Sequence, residues 1–270
     1  MTASTTVNEP ARASAATSAD RIRQVGVVIA EIACVFGTLV GVGVLGTRVE
    51  EASGGRLAAD ATLIAPAGPA FSIWSVIYLG LAAYTLWHVL PRNAAHPRAR
   101  ATGWLAAASM ILNAGWLLVT QAGWLWASVG VIVALAVVLG VLVRQLTALP
   151  TTSRVEAVLI DGTFGLYLGW VSVATAANIT ATLIDSGVQP GPEIAQALAV
   201  VVLAVAAAIG VVLARRLGAR YAVTAAMVWG LGWIAIGRLT DAPNSTVTGS
   251  AAILAALVIV AETVRRRRLS

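Results

Sequence analysis

Residues 194–214 read IAQALAVVVLAVAAAIGVVLA, without one charged side chain. A helix rising about 1.5 Å per residue covers about 30 Å over such a stretch, the thickness of a bilayer's hydrocarbon core. In lipid every backbone N–H and C=O must find its partner within the chain, so the block is predicted to be a spanning helix. Working outward from it, seven further apolar blocks fall at 25–47, 70–90, 102–121, 124–146, 157–183, 221–239 and 248–264. None shows the long polar–apolar alternation of a barrel strand. The fold class predicted is all-α, a polytopic membrane bundle of eight transmembrane helices.

Composition agrees. Of 270 residues 59% are hydrophobic and 11% charged, with a mean hydropathy of +0.85. Soluble domains average about 45–50% apolar and about 25% charged. A water-soluble enzyme, a disordered chain and a coiled coil are thereby excluded. The net charge is +6, and all 18 basic residues are Arg. They lie mostly between apolar blocks and near the termini, so they read as topology signals rather than a phosphate-binding surface, and no nucleic-acid partner is expected. Cys34 is the single cysteine, which excludes an intrachain disulfide and a multi-Cys metal site.

The arginines also orient the chain. Alternate connecting segments hold all of them except Arg48, Arg56 and Arg238, and the alternation survives all eight crossings. Both termini are therefore expected in the cytoplasm, and the 48–69 loop outside. Residues 1–24 are expected to be a flexible tail, since the first twenty are rich in Ala, Ser and Thr and carry no apolar core of a cleavable signal. Residues 265–270 are expected to be a basic cytoplasmic tail. Its Arg265–Arg268 run either stops translocation or attracts anionic lipid, and the charge rule favours the first.

Nine tryptophans stand against three phenylalanines. Tryptophan usually anchors at the membrane interface, which suits Trp87, Trp104, Trp124 and Trp126 near block ends. Trp116 and Trp170 lie deeper. Phe71, Trp74 and Tyr78 share one helical face, as do Asn113 and Trp116. Tyr167, Trp170, Ala174 and Asn178 follow i, i+3, i+7 and i+11. An Asn inside a span must face protein or water. The residues read equally as an aromatic-walled cavity in the outer half, suited to a flat apolar ligand, or as interhelical packing.

Three motifs bear on that choice. APAGPAFSIWSVIYLGLAAYTLW at 65–87, LNAGW at 112–116 and YLGWVSVATAAN at 167–178 resemble the second-, third- and fifth-helix signatures of the tryptophan-rich sensory protein / translocator protein (TspO/MBR) family. The resemblance covers residues 26–184 and implies a TspO-like five-helix bundle over 25–184. It implies that Trp74, Asn113, Trp116, Trp170, Ala174 and Asn178 line a ligand cavity, with Tyr78 and Tyr167 beside them, Trp124 as a further wall and the 48–69 loop as a lid. Family ligands are porphyrins and other tetrapyrroles, sterols and synthetic compounds, so the ligand implied is a tetrapyrrole or sterol-like molecule rather than a required cofactor. A homodimer and a bacterial inner membrane are the implied setting.

The sequence departs from the family pattern at Pro66, Gly68 and Pro69, where a Pro-Pro-Gly-Trp run is reduced, and at Leu166, where a Pro is replaced. Residues 185–264 form a three-helix extension outside the five-helix pattern. AASMILNAGW at 107–116 aligns with TAAMVWGLGW at 224–233, an echo a parallel four-plus-four repeat would give as readily as chance.

Three function classes remain open. A sensor or regulator that binds a tetrapyrrole leads. A secondary transporter would use Glu31 or Asp161, acidic residues set shallowly in spans, as a proton relay. An enzyme that breaks porphyrin down in light would depend on Trp74 and Trp170, as the resemblance implies. No nucleophile–base motif is present, His88 and His96 lack further ligands at metal spacing, and GVGVLG at 41–46 lies in an apolar block rather than a phosphate-binding turn, so no catalytic or metal residue is assigned.

Overall fold

A computed structural model describes residues 15–49 and 51–269. Eight helices are long and apolar enough to cross a membrane: α1 Ser18–Gly41, α2 Gly68–Val89, α3 Pro97–Gln121, α4 Leu125–Ala148, α5 Arg154–Asp185, α6 Pro192–Arg216, α7 Tyr221–Thr240 and α8 Thr246–Leu269. The chain is an integral membrane protein, and no strand occurs among the described residues. The expected tail over 1–24 lies outside the described residues for positions 1–14, and its last part is helical.

α1 begins at Ser18 because of a local signal. Thr17 Oγ1 accepts the backbone N–H of Asp20 at 3.3 Å, and the Asp20 carboxylate accepts that of Thr17 at 3.0 Å. This capping box satisfies two helix-end donors reciprocally. Asp20 also takes Arg23 at 2.7 Å and Arg100 at 2.6 Å. The same helix ends at Gly41, where residues 42–49 leave the helical path through Gly43 at φ +82°. The 25–47 block is therefore shifted toward the N-terminus, and GVGVLG forms the helix end and a loop.

Packing runs as a chain of neighbours. α3 lies between α1 and α4, α5 between α4 and α7, and α8 between α7 and α6, with α2 against α1 and α5. The α5–α7 contact is the main joint between the first five helices and the extension. A Cβ on Gly165 would lie 2.7 Å from that of Ala222, and one on Gly169 would lie 2.9 Å from that of Ala226. The Gly-x-x-x-Gly spacing lets the two backbones approach without a clash. Met110 on α3 and Met227 on α7, paired by the sequence echo, are both fully buried.

One end of the bundle collects the start of α1, the end of α8 and the arginine-rich connections. There Arg98 pairs with Glu156 at 3.2 Å and with Asp161, and Arg220 reaches Asp161 at 2.8 Å. A π-helical turn at Ala157–Gly162 carries that Asp161. Its partners are thus Arg98 and Arg220, not the sequence neighbours Arg144 and Arg154. Arg265–Arg268 continue α8 rather than forming a tail. Arg265 and Arg266 bond Glu262, and the Arg267 guanidinium lies 4.7 Å from the centre of the Tyr221 ring. At the opposite end, residues 42–67 cross over the helices.

Candidate functional site

The three motif segments, on α2, α3 and α5, meet at the end covered by the described part of residues 42–67. Trp74 stacks on Tyr78 with ring centres 5.2 Å apart, and stands edge-on to Tyr167 at 5.8 Å and Trp170 at 6.2 Å. Phe71 packs edge-on against Trp170 at 5.8 Å. Such offset and edge contacts suit aromatic quadrupoles. The i, i+3 spacing on α2 and α5 brings these rings together, as the one-face reading requires.

Two spaces flank the cluster, divided by Phe71 and Val49, which line both. The larger, about 360 Å³, opens between α1 and α2 and is bounded by Trp74, Tyr78, Thr38, Ser72, Ser75 and Arg48. The smaller, about 40 Å³, is a slot between helices and crossing segment. Trp116, Trp170, Ala174 and Asn178 form its floor, and Leu57, Ala58, Ala61, Thr62 and Pro66 its roof. Of the residues expected to line one cavity, Trp74 and Tyr78 border the first space, and Trp116, Trp170, Ala174 and Asn178 the second.

The amides serve the protein. Trp116 Nε1 donates to Asn178 Oδ1 at 2.9 Å, and Asn178 Nδ2 donates to Ser128 Oγ at 2.9 Å. Asn178 thus joins α3, α4 and α5. Asn113 is 0% exposed and lines neither compartment. Its Nδ2 donates to the Tyr78 hydroxyl at 3.1 Å and to Cys34 Sγ at 3.7 Å, while its Oδ1 has no partner. Tyr167 is buried beneath Trp74 and donates to the Ser109 carbonyl at 3.2 Å. Trp124, at 65% exposure, faces away from both compartments as the residue capping α4. Its spacing from Asn113 is shorter than the family pattern, and the helix start leaves its ring outside.

Thr62 escaped the sequence reading. Thr62 and Trp170 both line the slot, and the Thr62 hydroxyl and the Trp170 indole N–H are buried without a hydrogen-bond partner. Nothing in an Ala-rich loop marks one threonine over another. Ser128 had a usable signal, as a polar residue in an otherwise apolar span.

The other candidates separate clearly. Glu31 is half-buried on α1 with Oε2 lacking a partner. Asp161 is held in the ion-pair cluster at the far end. His88 is buried with both ring nitrogens unpartnered, His96 lies 3.5 Å from Glu156, and no cluster of three metal-ligating side chains occurs among the described residues.

A family model described as TSPO-like protein matches residues 27–264. The chain belongs to the TSPO-like protein family. The match runs through α6, α7 and α8, so the three helices outside the five-helix motif pattern lie within the region this TSPO-like family shares. No curated protein matches the chain, and no solved structure does.

Three contacts hold the described part of the 42–67 segment of this TSPO-like protein over the slot. Ser53 Oγ donates to the Thr120 carbonyl at 2.6 Å, Arg56 pairs with Asp185 at 2.5 Å, and the Ala67 N–H donates to the Trp233 carbonyl at 3.2 Å. Hydrogen bonds thus tie the roof of the slot to α3 and α7, and an ion pair ties it to the end of α5.

Proposed function

We propose that this TSPO-like protein binds a flat, largely apolar ligand of the tetrapyrrole class beneath its lid, and acts as a sensor or regulator rather than a catalyst. The observation carrying this reading is the pair of orphaned polar groups on residues that line the slot, Nε1 of Trp170 in its floor and Oγ1 of Thr62 in its roof. A buried donor without a partner costs about 1–3 kcal/mol. A ligand with an acceptor atom between them removes that cost, and the rings of Trp74, Trp116 and Trp170 offer it flat faces.

Volume sets a condition. Ligand pockets span about 300–1,000 Å³. The compartment beside Trp74 meets this at about 360 Å³, whereas the slot holds about 40 Å³. A macrocycle fits when Phe71 turns aside and the lid rises, joining the two. The proposal includes a bacterial inner membrane with the lid outside, supported by the arginine asymmetry. It also includes a homodimer, supported by Gly130 and Gly140 of α4, which face open space where a second helix can approach closely.

The test is titration of the protein in lipid nanodiscs with a porphyrin, following its absorbance. A saturable shift of the porphyrin band supports the reading, and a signal that grows linearly with lipid alone removes it.

Glu31 supports a second reading, proton-coupled transport, because one of its carboxylate oxygens is buried without a partner. Uptake into proteoliposomes driven by a pH gradient and lost in Glu31→Gln would favour transport over sensing.

A further inference from the structure

The lid is also attached to a helix of the extension. Arg238 of α7 is 1% exposed, one of the largest fully buried side chains. Its guanidinium donates from Nη2 to the Ala59 carbonyl at 2.9 Å, and from Nη1 to the carbonyls of Thr62 at 3.2 Å and Pro243 at 3.1 Å. No carboxylate lies within ion-pair distance among the described residues, although Asp60 and Asp241 contribute negative potential nearby. A buried cation is expensive unless its donors are used. Here both Nη atoms are used on main-chain oxygens of two segments at once, a geometry that an ammonium cannot copy, while Nε has no partner.

Two more links from α7 lie along the same line. Trp229 Nε1 donates to the Ala70 carbonyl at 2.9 Å, and the Trp233 carbonyl accepts the Ala67 N–H at 3.2 Å. The carbonyls of residues 59 and 62, the N–H of residue 67 and the carbonyl of residue 70 are distributed along the stretch that roofs the slot and enters α2. Ala58, Ala61, Thr62, Ala65 and Pro66 of that stretch line the slot itself.

We infer that Arg238 is a positioning residue for the ligand site: the extension latches the lid from its own seventh helix, and release of this latch controls access to the slot. The inference takes the slot beneath the lid as the ligand site. It gives the extension a role that the five-helix pattern lacks. Arg238 touches no ligand; it acts by fixing the carbonyls of residues 59 and 62 and with them the Thr62 side chain.

The experiment compares wild type, Arg238→Gln, Arg238→Lys and Trp229→Phe in nanodiscs by hydrogen exchange, and separately by the rate at which a porphyrin quenches tryptophan emission. In Arg238→Gln, amides 58–67 should exchange at least tenfold faster, with α4 and α8 unchanged, and porphyrin association should speed up about as much. Arg238→Lys should fall between Arg238→Gln and wild type. Trp229→Phe, which removes one link only, should loosen the lid less, and it carries the test with Arg238→Lys where Arg238→Gln does not fold. Unchanged exchange at 58–67, or a rise spread equally over all helices, overturns the latch. Faster lid exchange with an unchanged association rate overturns the control of access. Faster lid exchange with no porphyrin bound by any variant, wild type included, leaves the latch standing and removes the ligand proposal instead.

Discussion

Trp116 and Asn178 are joined by a hydrogen bond of 2.9 Å from the indole N–H to the amide oxygen, linking α3 to α5. The amide completes its geometry on Ser128 of α4. Both residues border the slot, yet their polar atoms are spent on each other. The ring face of Trp116 remains for a ligand, and the Asn178 amide does not.

Asn178→Ala should therefore weaken the bundle more than it weakens binding. Two hydrogen bonds are lost and the Trp116 N–H is left buried, a cost of about 1–3 kcal/mol, moderated in membranes where such bonds average about 0.6 kcal/mol. Thermal unfolding in detergent should shift downward. Porphyrin affinity measured below that transition should change by less than threefold.

Gly169→Leu should separate α5 from α7. Its side chain would meet Ala226 and the Val223 backbone, and overpacking of a tight contact costs about 1–3 kcal/mol or more. The expected result is a loss of thermal stability with increased protease cleavage between α5 and α6. Gly232→Leu on α7, where nothing lies near a new Cβ, serves as the control and should leave stability unchanged.

Arg98→Gln should be among the most damaging single changes. It leaves Glu156 and Asp161 without their shared buried partner, and breaking a buried ion pair from one side costs about 3–5 kcal/mol. Expression in membranes and the unfolding temperature both report this. Arg98→Gln paired with Asp161→Asn should recover part of the loss.

Thr62→Val should leave the fold intact, because the hydroxyl it removes has no partner in the slot. Removing an unpartnered buried hydroxyl is neutral or slightly stabilising. If the hydroxyl meets a ligand acceptor, porphyrin affinity falls about tenfold while stability holds.

Much of the fold was legible because lipid leaves few choices. Eight apolar blocks became eight helices, since length and backbone satisfaction decide both. Their ends were harder. The Thr17–Asp20 box starts α1 early, and a short polar signal of that kind is overlooked when apolar content defines the block. Of the site, the convergence of Trp74, Tyr78, Tyr167 and Trp170 follows from helical spacing. The partners of Asn113 and Asn178 do not, because spacing says which face a side chain occupies but not what stands opposite. In the sequence Arg238 is only one of three arginines on the arginine-poor side. Its role depends on carbonyls that lie about 180 residues earlier in the chain, a relation that no local pattern encodes.

The central claim, that the ligand lies against Trp170 beneath the lid, is tested most directly by tryptophan quenching with a porphyrin in wild type, Trp170→Phe and Trp124→Phe. Trp124 is exposed at the α4 start and serves as the control. The account predicts at least tenfold weaker porphyrin affinity in Trp170→Phe and an unchanged affinity in Trp124→Phe. Equal affinities in all three proteins would contradict it.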